Sequence, residues 1–343
     1  MTATTSSPLL DSEAVRARID AVLREFLRDK ASAETERRLP PDITEAVRTF
    51  LFSGGKRIRP MFCVLGWYAG GGYGLPLEIA RAAAAVEMFH ASVLIHDDII
   101  DDSDTRRDQP TVHRRCGTGA AILIGDFALA WSDELLHTAG LSADRMHAAL
   151  PVIDAMRSEV DYGQYLDLRT TGRPTSDLDR ALEIIRYKTS AYTVERPLQL
   201  GAALAEADDG VAPALSLYAR PLGEAFQLQD DLFGVYGDPA RTGKSNLEDL
   251  RSGKHTALLA LALGRATPRQ AERLRRLVGD PRLDDHGAAE CRDLLTVLAR
   301  EPVEQMIRER WLRAQRALDK APFPPEAITA LRRFADALVA RTA

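Results

Sequence analysis

Cysteine is scarce. Cys63, Cys116 and Cys291 are the only three in 343 residues. They show no metal-ligand spacing and no disulfide framework, which suits a reducing cytosol. Cys63 lies in an apolar run and is expected in the core. No stretch reaches the roughly 18 apolar residues of a membrane span. The N-terminus lacks the charged start and apolar core of a secretory signal. A basic excess is missing too. Acidic residues outnumber basic ones, 50 to 45, for a net charge of −5, so nucleic acid is not expected as a main partner. Phosphate chemistry is not excluded, because it needs only a basic pocket. Almost no stretch alternates like a half-buried strand. Linkers rich in proline or serine, internal repeats and low-complexity tracts are also missing.

What is there is helical. Hydrophobic residues make up 45% of the chain, enough for a sizeable core. From Ser12 an amphipathic pattern (Val15, Ile19, Val22, Leu23, Phe26, Leu27) predicts a first helix, broken by Pro40-Pro41, with Asp42 as a cap for the next. Further helices are expected at about 43–52, 57–70, 76–102, 117–139, 142–171, 177–206, 210–236, 254–264, 267–278, 285–300, 302–320 and 324–341. The expected fold class is all-α, a single large helical bundle with a central cavity. Residues 1–8 are expected to be disordered and residues 9–343 to form one helical domain. The chain beyond about 265 carries no motif. Arg273, Arg275 and Arg276 there read as a solvated face.

One stretch organises the chemistry: His96-Asp97-Asp98-Ile99-Ile100-Asp101-Asp102-Ser103-Asp104-Thr105-Arg106-Arg107. An apolar, alanine-rich helix leads into it. Asp97 and Asp101 are four apart and share a helix face; Asp98 lies about 100° round. Carboxylates at the end of an apolar helix repel one another and are costly to bury. Oxygen ligands favour a hard ion, and Mg²⁺ binds through one or two carboxylates plus substrate phosphates. Taken alone, the cluster reads equally well as a solvated acidic helix end. A second cluster, Phe226-Gln227-Leu228-Gln229-Asp230-Asp231, changes that. Gln227 is three residues before Asp230 and four before Asp231, so the three share a face. Lys244 and Lys254 follow. Two helix-borne acidic clusters trailed by basic residues suggest a cavity that holds metal ions against diphosphate. Upstream, in Gly54-Gly55-Lys56-Arg57-Ile58-Arg59-Pro60, the glycines leave an anion room to approach a helix start. Lys56 and Arg59, three apart, supply a point charge and a planar fork for phosphate.

Four motifs, in order and spacing, resemble the trans-type (all-E) isoprenyl diphosphate synthases, and most resemble the geranylgeranyl diphosphate synthases among them. They are Gly54 to Pro60, Glu87 through His90 to His113, Tyr187-Lys188-Thr189-Ser190, and Phe226 to Lys254. The likeness spans roughly residues 45 to 260. It implies an isoprenoid synthase-like fold, a homodimer in the cytoplasm, and head-to-tail prenyl transfer. Isopentenyl diphosphate would be held by Lys56, Arg59, His90 and Arg107, with Arg57 less involved. Mg²⁺, three ions per active site, would be bound by Asp97, Asp98, Asp101, Asp230 and Asp231. The allylic diphosphate (dimethylallyl, geranyl or farnesyl) would meet Arg106, Lys188, Lys244 and Lys254, with Thr189 and Gln227 beside the ionising carbon. The likeness assigns His96 no role. His113 matches a recurrent position.

Two features depart from or refine this pattern. Asp-Asp-x-x-Asp would place an acid at 234, where this chain has Gly234; the next is Asp238. Asp102 and Asp104 have no assigned role. The glycine-rich segment between Gly237 and Gly253 reads as a lid. Product length should follow what floors the tunnel beside the helix ending in Asp97. Ser92 and Val93 are small or moderate, and Met88 and Phe89 lie one turn deeper with Ala85 behind, so growth is expected to stop near C20. Alternatives are a C15 or longer product, a class I terpene synthase-like enzyme, and a non-catalytic subunit of a heteromeric synthase. The second diphosphate site speaks against a terpene synthase. The complete first aspartate cluster speaks against a non-catalytic subunit.

Overall fold

The computed structural model describes residues 11–237 and 248–339. The expected disorder over 1–8, Asp238, Lys244 and most of the expected lid lie outside them. The described residues are helical apart from one short hairpin. Helix α1 (Ser12–Arg37) begins at Ser12, where the pattern predicts it. The Asp11 side chain is the cap and accepts from the N–H groups of Glu13 and Ala14. Val15, Ile19, Val22, Leu23 and Leu27 are buried, as their spacing predicts. The helix ends at Arg38 in a left-handed conformation. Then come α2 (Asp42–Phe52), α3 (Ile58–Ala69) and α4 (Leu77–Ile100). Asp42 is the first helical residue of α2 rather than its cap, and no side chain caps that helix.

The hairpin was not expected. Strands β1 (Thr105–Arg106) and β2 (Gln109–Pro110) pair antiparallel around Arg107 and Asp108. Both turn residues have positive φ, 54° and 59°. That is the twist of a two-residue hairpin turn, usually made by Asn-Gly. Helices α5 (Val112–Cys116), α6 (Thr118–His137) and α7 (Ala143–Thr170) follow. The helix expected over 177–206 is α8 (Leu178–Ile184), a π-helical segment (Ile185–Glu195) and α9 (Arg196–Leu204). Beyond them lie α10 (Val211–Tyr236), α11 (Glu248–Ser252), α12 (Ala257–Arg265), α13 (Pro268–Leu277) and α14 (Asp285–Leu295). A second π segment (Thr296–Arg300) leads to α15 (Glu301–Leu318), and α16 (Pro325–Val339) closes the described chain. Each wide segment gives way to α-helix at a proline, Pro197 or Pro302. Proline donates no N–H and crowds the carbonyl four residues back, which favours a widened turn ahead of it.

The chain divides into two compact units. The first is built from described residues of Met1–Val152, Pro197–Ala212 and Phe323–Ala330, and the second from those of Ile153–Arg196, Pro213–Pro322 and Leu331–Ala343. In the first, α4 is the central helix. Ile79, Ala80, Ala82, Ala83 and Ala84 have no exposed surface. Small side chains let α6 pack close along it, and Ser132 Oγ donates to Ala85 O at 2.9 Å. At the far end His96 sits on Gly125, where a Cβ would come 2.2 Å from the imidazole Nε2. Helices α3 and α9 touch backbone to backbone. A Cβ on Gly66 would lie 1.9 Å from Leu198 O, and one on Gly201 1.9 Å from Cys63 O.

In the second unit the π segment packs on α7 at Gly163 and on α10 at Gly223. A Cβ at Gly163 would come 2.3 Å from Lys188 N, and one at Gly223 2.5 Å from Ser190 Cα. A core of leucines and alanines from α10, α12, α13 and α14 lies behind. Arg273 and Arg276 pair with Glu290 and Glu272 on an exposed face.

The α3–α9 contact leaves no space for a methyl group. Gly201→Ala should therefore lower stability by about 2 kcal/mol or more, through overpacking against backbone. Calorimetric unfolding should show the drop in Tm.

Candidate active site

The glycine-rich turn between α2 and α3 takes its shape from left-handed backbone. Gly54 and Gly55 have φ of 127° and 129°, and Arg57 has φ of 52°. Lys56 is exposed at the turn. Arg57, next to it, is buried in ion pairs with Asp20 and Glu87. Arg59, on the first turn of α3, brings Nη1 to 2.9 Å from His90 Nε2 on α4. Arginine can only donate, so Nε2 accepts and the ring proton sits on Nδ1. Burial pulls the His90 pKa well below the ordinary histidine range, and the guanidinium groups of Arg59, Arg106 and Arg107 push the same way. His90 is neutral at physiological pH. Arg107 reaches back from the hairpin turn. Its Nη1 donates to the carbonyl of Gly54, and its Nη2 would lie 3.2 Å from a Cβ on Gly55. Lys56, Arg59, His90 and Arg107, expected to serve one diphosphate, thus stand on elements tied directly to one turn.

The first acidic cluster begins where α4 ends. Asp101 is its C-cap, and its N–H returns to Asp97 O at 2.8 Å. Asp98 is 1% exposed. Arg106 grips it with Nε at 2.8 and 3.0 Å from the two carboxylate oxygens and Nη2 at 2.7 Å. The same Nη2 lies 3.5 Å from Asp97 Oδ2. Burial raises the Asp98 pKa, with the Arg106 bond and charge working against it. Burial tends to lower the pKa of Arg106, but the bond to Asp98 together with the charges of Asp98, Asp97 and Asp101 outweighs this, and the net shift is upward. Asp98, expected to assist the metal, has both carboxylate oxygens engaged by Arg106. Asp102 and Asp104 have a role that their spacing did not reveal. Arg114 of α5 holds both, at 2.9 and 2.7 Å. His113 is buried, with Nδ1 3.1 Å from Thr111 Oγ1. His96 Nε2 donates to Ile122 O at 3.1 Å and lies 3.6 Å from Asp126 Oδ1.

In the second unit, Thr189 Oγ1 lies 2.7 Å from Gln227 Oε1, and Gln227 Nε2 donates to Asp231 Oδ1 at 2.8 Å. Because the carboxylate only accepts, the chain runs one way, from hydroxyl to amide to carboxylate. Gln227 is therefore held with its carbonyl toward Thr189. Asp230 and Gly234 lie on the same helix, α10, both partly buried. Lys188 Nζ donates to Asp167 Oδ2 at 2.6 Å. Asp167 is buried on α7 and was missed in the sequence, because no short spacing connects it to Lys188. Gly163, one turn earlier on α7, is what lets the lysine's helix approach so closely. Lys254 sits in a segment tied down on both sides. Gly172 N–H donates to Gly253 O at 3.1 Å, and His255 Nε2 lies 2.9 Å from Asp177 O. The part of the expected lid that is described, α11 and Gly253, is thus anchored.

The donors at both clusters are carboxylate oxygens. Among the described residues no three His, Cys, Asp or Glu side chains form a metal-holding group by themselves. A hard ion that takes one or two carboxylates and completes its shell with phosphate oxygens and water fits such a donor set.

Comparison with known proteins agrees across the chain. The family model for polyprenyl synthetases matches residues 40–295. A short chain isoprenyl diphosphate synthase of Methanocaldococcus jannaschii is 35% identical over 255 residues, 73% of this chain and 75% of that one. A nonaprenyl diphosphate synthase of Mycobacterium tuberculosis is 32% identical over 270 residues, 78% of this chain and 77% of that one. A geranylgeranyl pyrophosphate synthase of Corynebacterium glutamicum, solved with isoprenyl diphosphate and magnesium, superposes with a TM-score of 0.90 at 37% identity. That match covers 97% of this chain and 99% of that one.

A neutral His90 has a measurable consequence. Its folded pKa lies below the unfolded value of about 6.5, so protons bind the unfolded chain first as pH falls. The neutral imidazole costs nothing above about pH 6.5, and stability is lost as pH drops below it. In ¹H NMR of histidine-labelled protein, the ring signal missing from His90→Gln should show no inflection between about pH 6 and 7.5.

Proposed function

The chain belongs to the polyprenyl synthetase family and is a trans-prenyltransferase, and we propose that it joins isopentenyl diphosphate head to tail to an allylic diphosphate, ending at the C20 product geranylgeranyl diphosphate. The observation that carries this is the presence of two separate diphosphate-type donor sets. One is Lys56, Arg59, His90 and Arg107. The other is Lys188, Thr189, Gln227 and Lys254, to which Lys244, outside the described residues, would be added. A terpene synthase that only ionises an allylic diphosphate has no use for the first set.

Magnesium, three ions in each site, would be held by Asp97, Asp101, Asp230 and Asp231 and would supply the positive charge that eases departure of diphosphate. Asp98 serves by orienting Arg106. Isopentenyl diphosphate is held by Lys56 and the guanidinium groups of Arg59 and Arg107. His90, neutral, accepts from Arg59 and keeps its fork aimed without adding a charge that must titrate. Arg106, Lys188 and Lys254 would meet the allylic diphosphate and take up the charge that develops as the C–O bond breaks. Asp167 steers Lys188 into that position. The oxygens of Thr189 and Gln227, locked by the bond to Asp231, lie beside the allylic cation and favour it over water. The double bond of isopentenyl diphosphate then attacks, and a proton passes to the released diphosphate. Gly234 removes one acid from the second cluster and leaves Asp230 and Asp231 to act there.

Chain growth is limited, on this view, by Met88 and Phe89. Ser92 is small and buried, and Met88 has no accessible surface. Phe89 is likewise buried, keeping 5%, and we take it, with Met88, as the bulky pair that meets a lengthening tail. We take residues 9–343 as one catalytic domain, working as a homodimer in the cytoplasm and starting from a dimethylallyl, geranyl or farnesyl group. The exposed Ile122, Leu123 and Phe127 on α6 support a partner surface, and the three free cysteines fit a reducing compartment. No helix among the described residues is long and apolar enough to cross a membrane.

Asp97→Ala and Asp230→Ala should each cut incorporation of labelled isopentenyl diphosphate by at least about a hundredfold. Near wild-type turnover in either would sink the assignment. Phe89→Ala should lengthen the product beyond C20, read by chromatography of the dephosphorylated alcohols. An unchanged length would move the floor elsewhere.

A further inference from the structure

Arg57 takes no direct part in the chemistry above, yet it is bound from three directions. Its Nε lies 2.8 Å from Asp20 Oδ1 on α1, its Nη1 2.9 Å from Glu87 Oε1 on α4, and its Nη2 2.7 Å from Leu51 O near the end of α2. Both Arg57 and Glu87 are only 4% exposed. The backbone of Arg57 is left-handed, with φ of 52°, a region that residues with side chains seldom enter. Something must hold it there, and three bonds to three helices do so. The turn also presses on the guanidinium groups. A Cβ on Gly55 would come 3.0 Å from Arg57 Nη1 and 3.2 Å from Arg107 Nη2. Lys56 precedes Arg57, and Arg59 follows two residues later. Glu87 stands three residues before His90 on α4, on the same side of the helix. A buried, unpaired carboxylate in that position would repel a diphosphate, and Arg57 cancels it.

We propose that Arg57, clamped between Asp20 and Glu87, is a positioning residue for the isopentenyl diphosphate site. It holds the turn from Gly54 to Arg59 in the shape that presents Lys56, Arg59 and Arg107 together, and it makes α1 a supporting part of that site. This rests on the assignment of those three side chains to isopentenyl diphosphate made above. Lysine at position 57 would keep a charge for Glu87 but could not make a planar fork to all three partners. The anion-binding groups would then be displaced, and displacements of an ångström are costly to recognition.

The test is steady-state kinetics with each diphosphate varied separately, on Arg57→Lys, Asp20→Asn and Arg59→Ala, together with their melting temperatures. Arg57→Lys should raise KM for isopentenyl diphosphate about tenfold or more, leaving kcat and the allylic KM within about twofold. Asp20→Asn, which weakens one arm of the clamp without unpairing Glu87, should move the same KM about threefold. An unchanged isopentenyl KM in Arg57→Lys would overturn the proposal. So would equal changes in both KM values, the result expected of general loosening. If Arg57→Lys does not fold, Asp20→Asn decides by the same criterion. Arg59→Ala tells the two failures apart. If it raises the isopentenyl KM while the clamp variants do not, the clamp is wrong and the site stands. If it also leaves that KM unchanged, the site assignment has failed and the proposal with it.

Discussion

Carboxylates crowded at the end of an apolar helix must find counter-charge, and the way this chain supplies it shapes its first unit. Arg106 turns back from the hairpin to grip Asp98 and reach Asp97. Arg114 spans Asp102 and Asp104. These bonds draw the hairpin and α5 against the end of α4. They also sort five similar aspartates into different tasks. Asp98 is buried and committed to an arginine, and Asp102 and Asp104 hold a loop. Asp97 and Asp101 are the two proposed to take an ion shared with a diphosphate.

The same rule governs the cationic side. Two of the guanidinium groups proposed to meet a diphosphate have uncharged partners. Arg59 is held by a neutral imidazole, and Arg107 by the backbone carbonyl of Gly54. Neither of these two partners carries a charge. Lys188 is held differently, by the carboxylate of the buried Asp167. Arg57 lies at the opposite extreme, with its charge consumed by two carboxylates and its function confined to shape.

Close approach of helices is the second requirement, and glycine meets it. Gly66 and Gly201 let α3 and α9 touch through their backbones. Gly163 and Gly223 do the same for the π segment that carries Lys188 and Thr189, and Gly125 makes room for His96. None of these glycines lies in a turn. Each occupies a helix interior, where it costs about 1 kcal/mol relative to alanine, and that cost is offset by the close helix packing it permits.

Most helix positions and the all-α class were legible in the chain, and so were the clusters of residue types from which a diphosphate site was proposed. Apolar periodicity, helix-breaking prolines and the local spacing of aspartates, lysines and arginines are short-range properties. So was the family, since four motifs in order carry more information than any one of them. The division of labour among those residues was not legible. That Asp98 belongs to Arg106, that Asp167 supports Lys188, and that Arg57 is bound by Asp20 and Glu87 are contacts between residues far apart in sequence or joined across a turn. The hairpin escaped notice because Arg107-Asp108 is an unlikely pair for left-handed backbone, tolerated here because the Arg107 side chain is bonded elsewhere. The π segments escaped because a widened turn has the same hydrophobic pattern as an ordinary helix. Residue type sets which charges a side chain can bear, while packing and burial decide which partner it meets, and only the folded chain brings those partners within bonding distance.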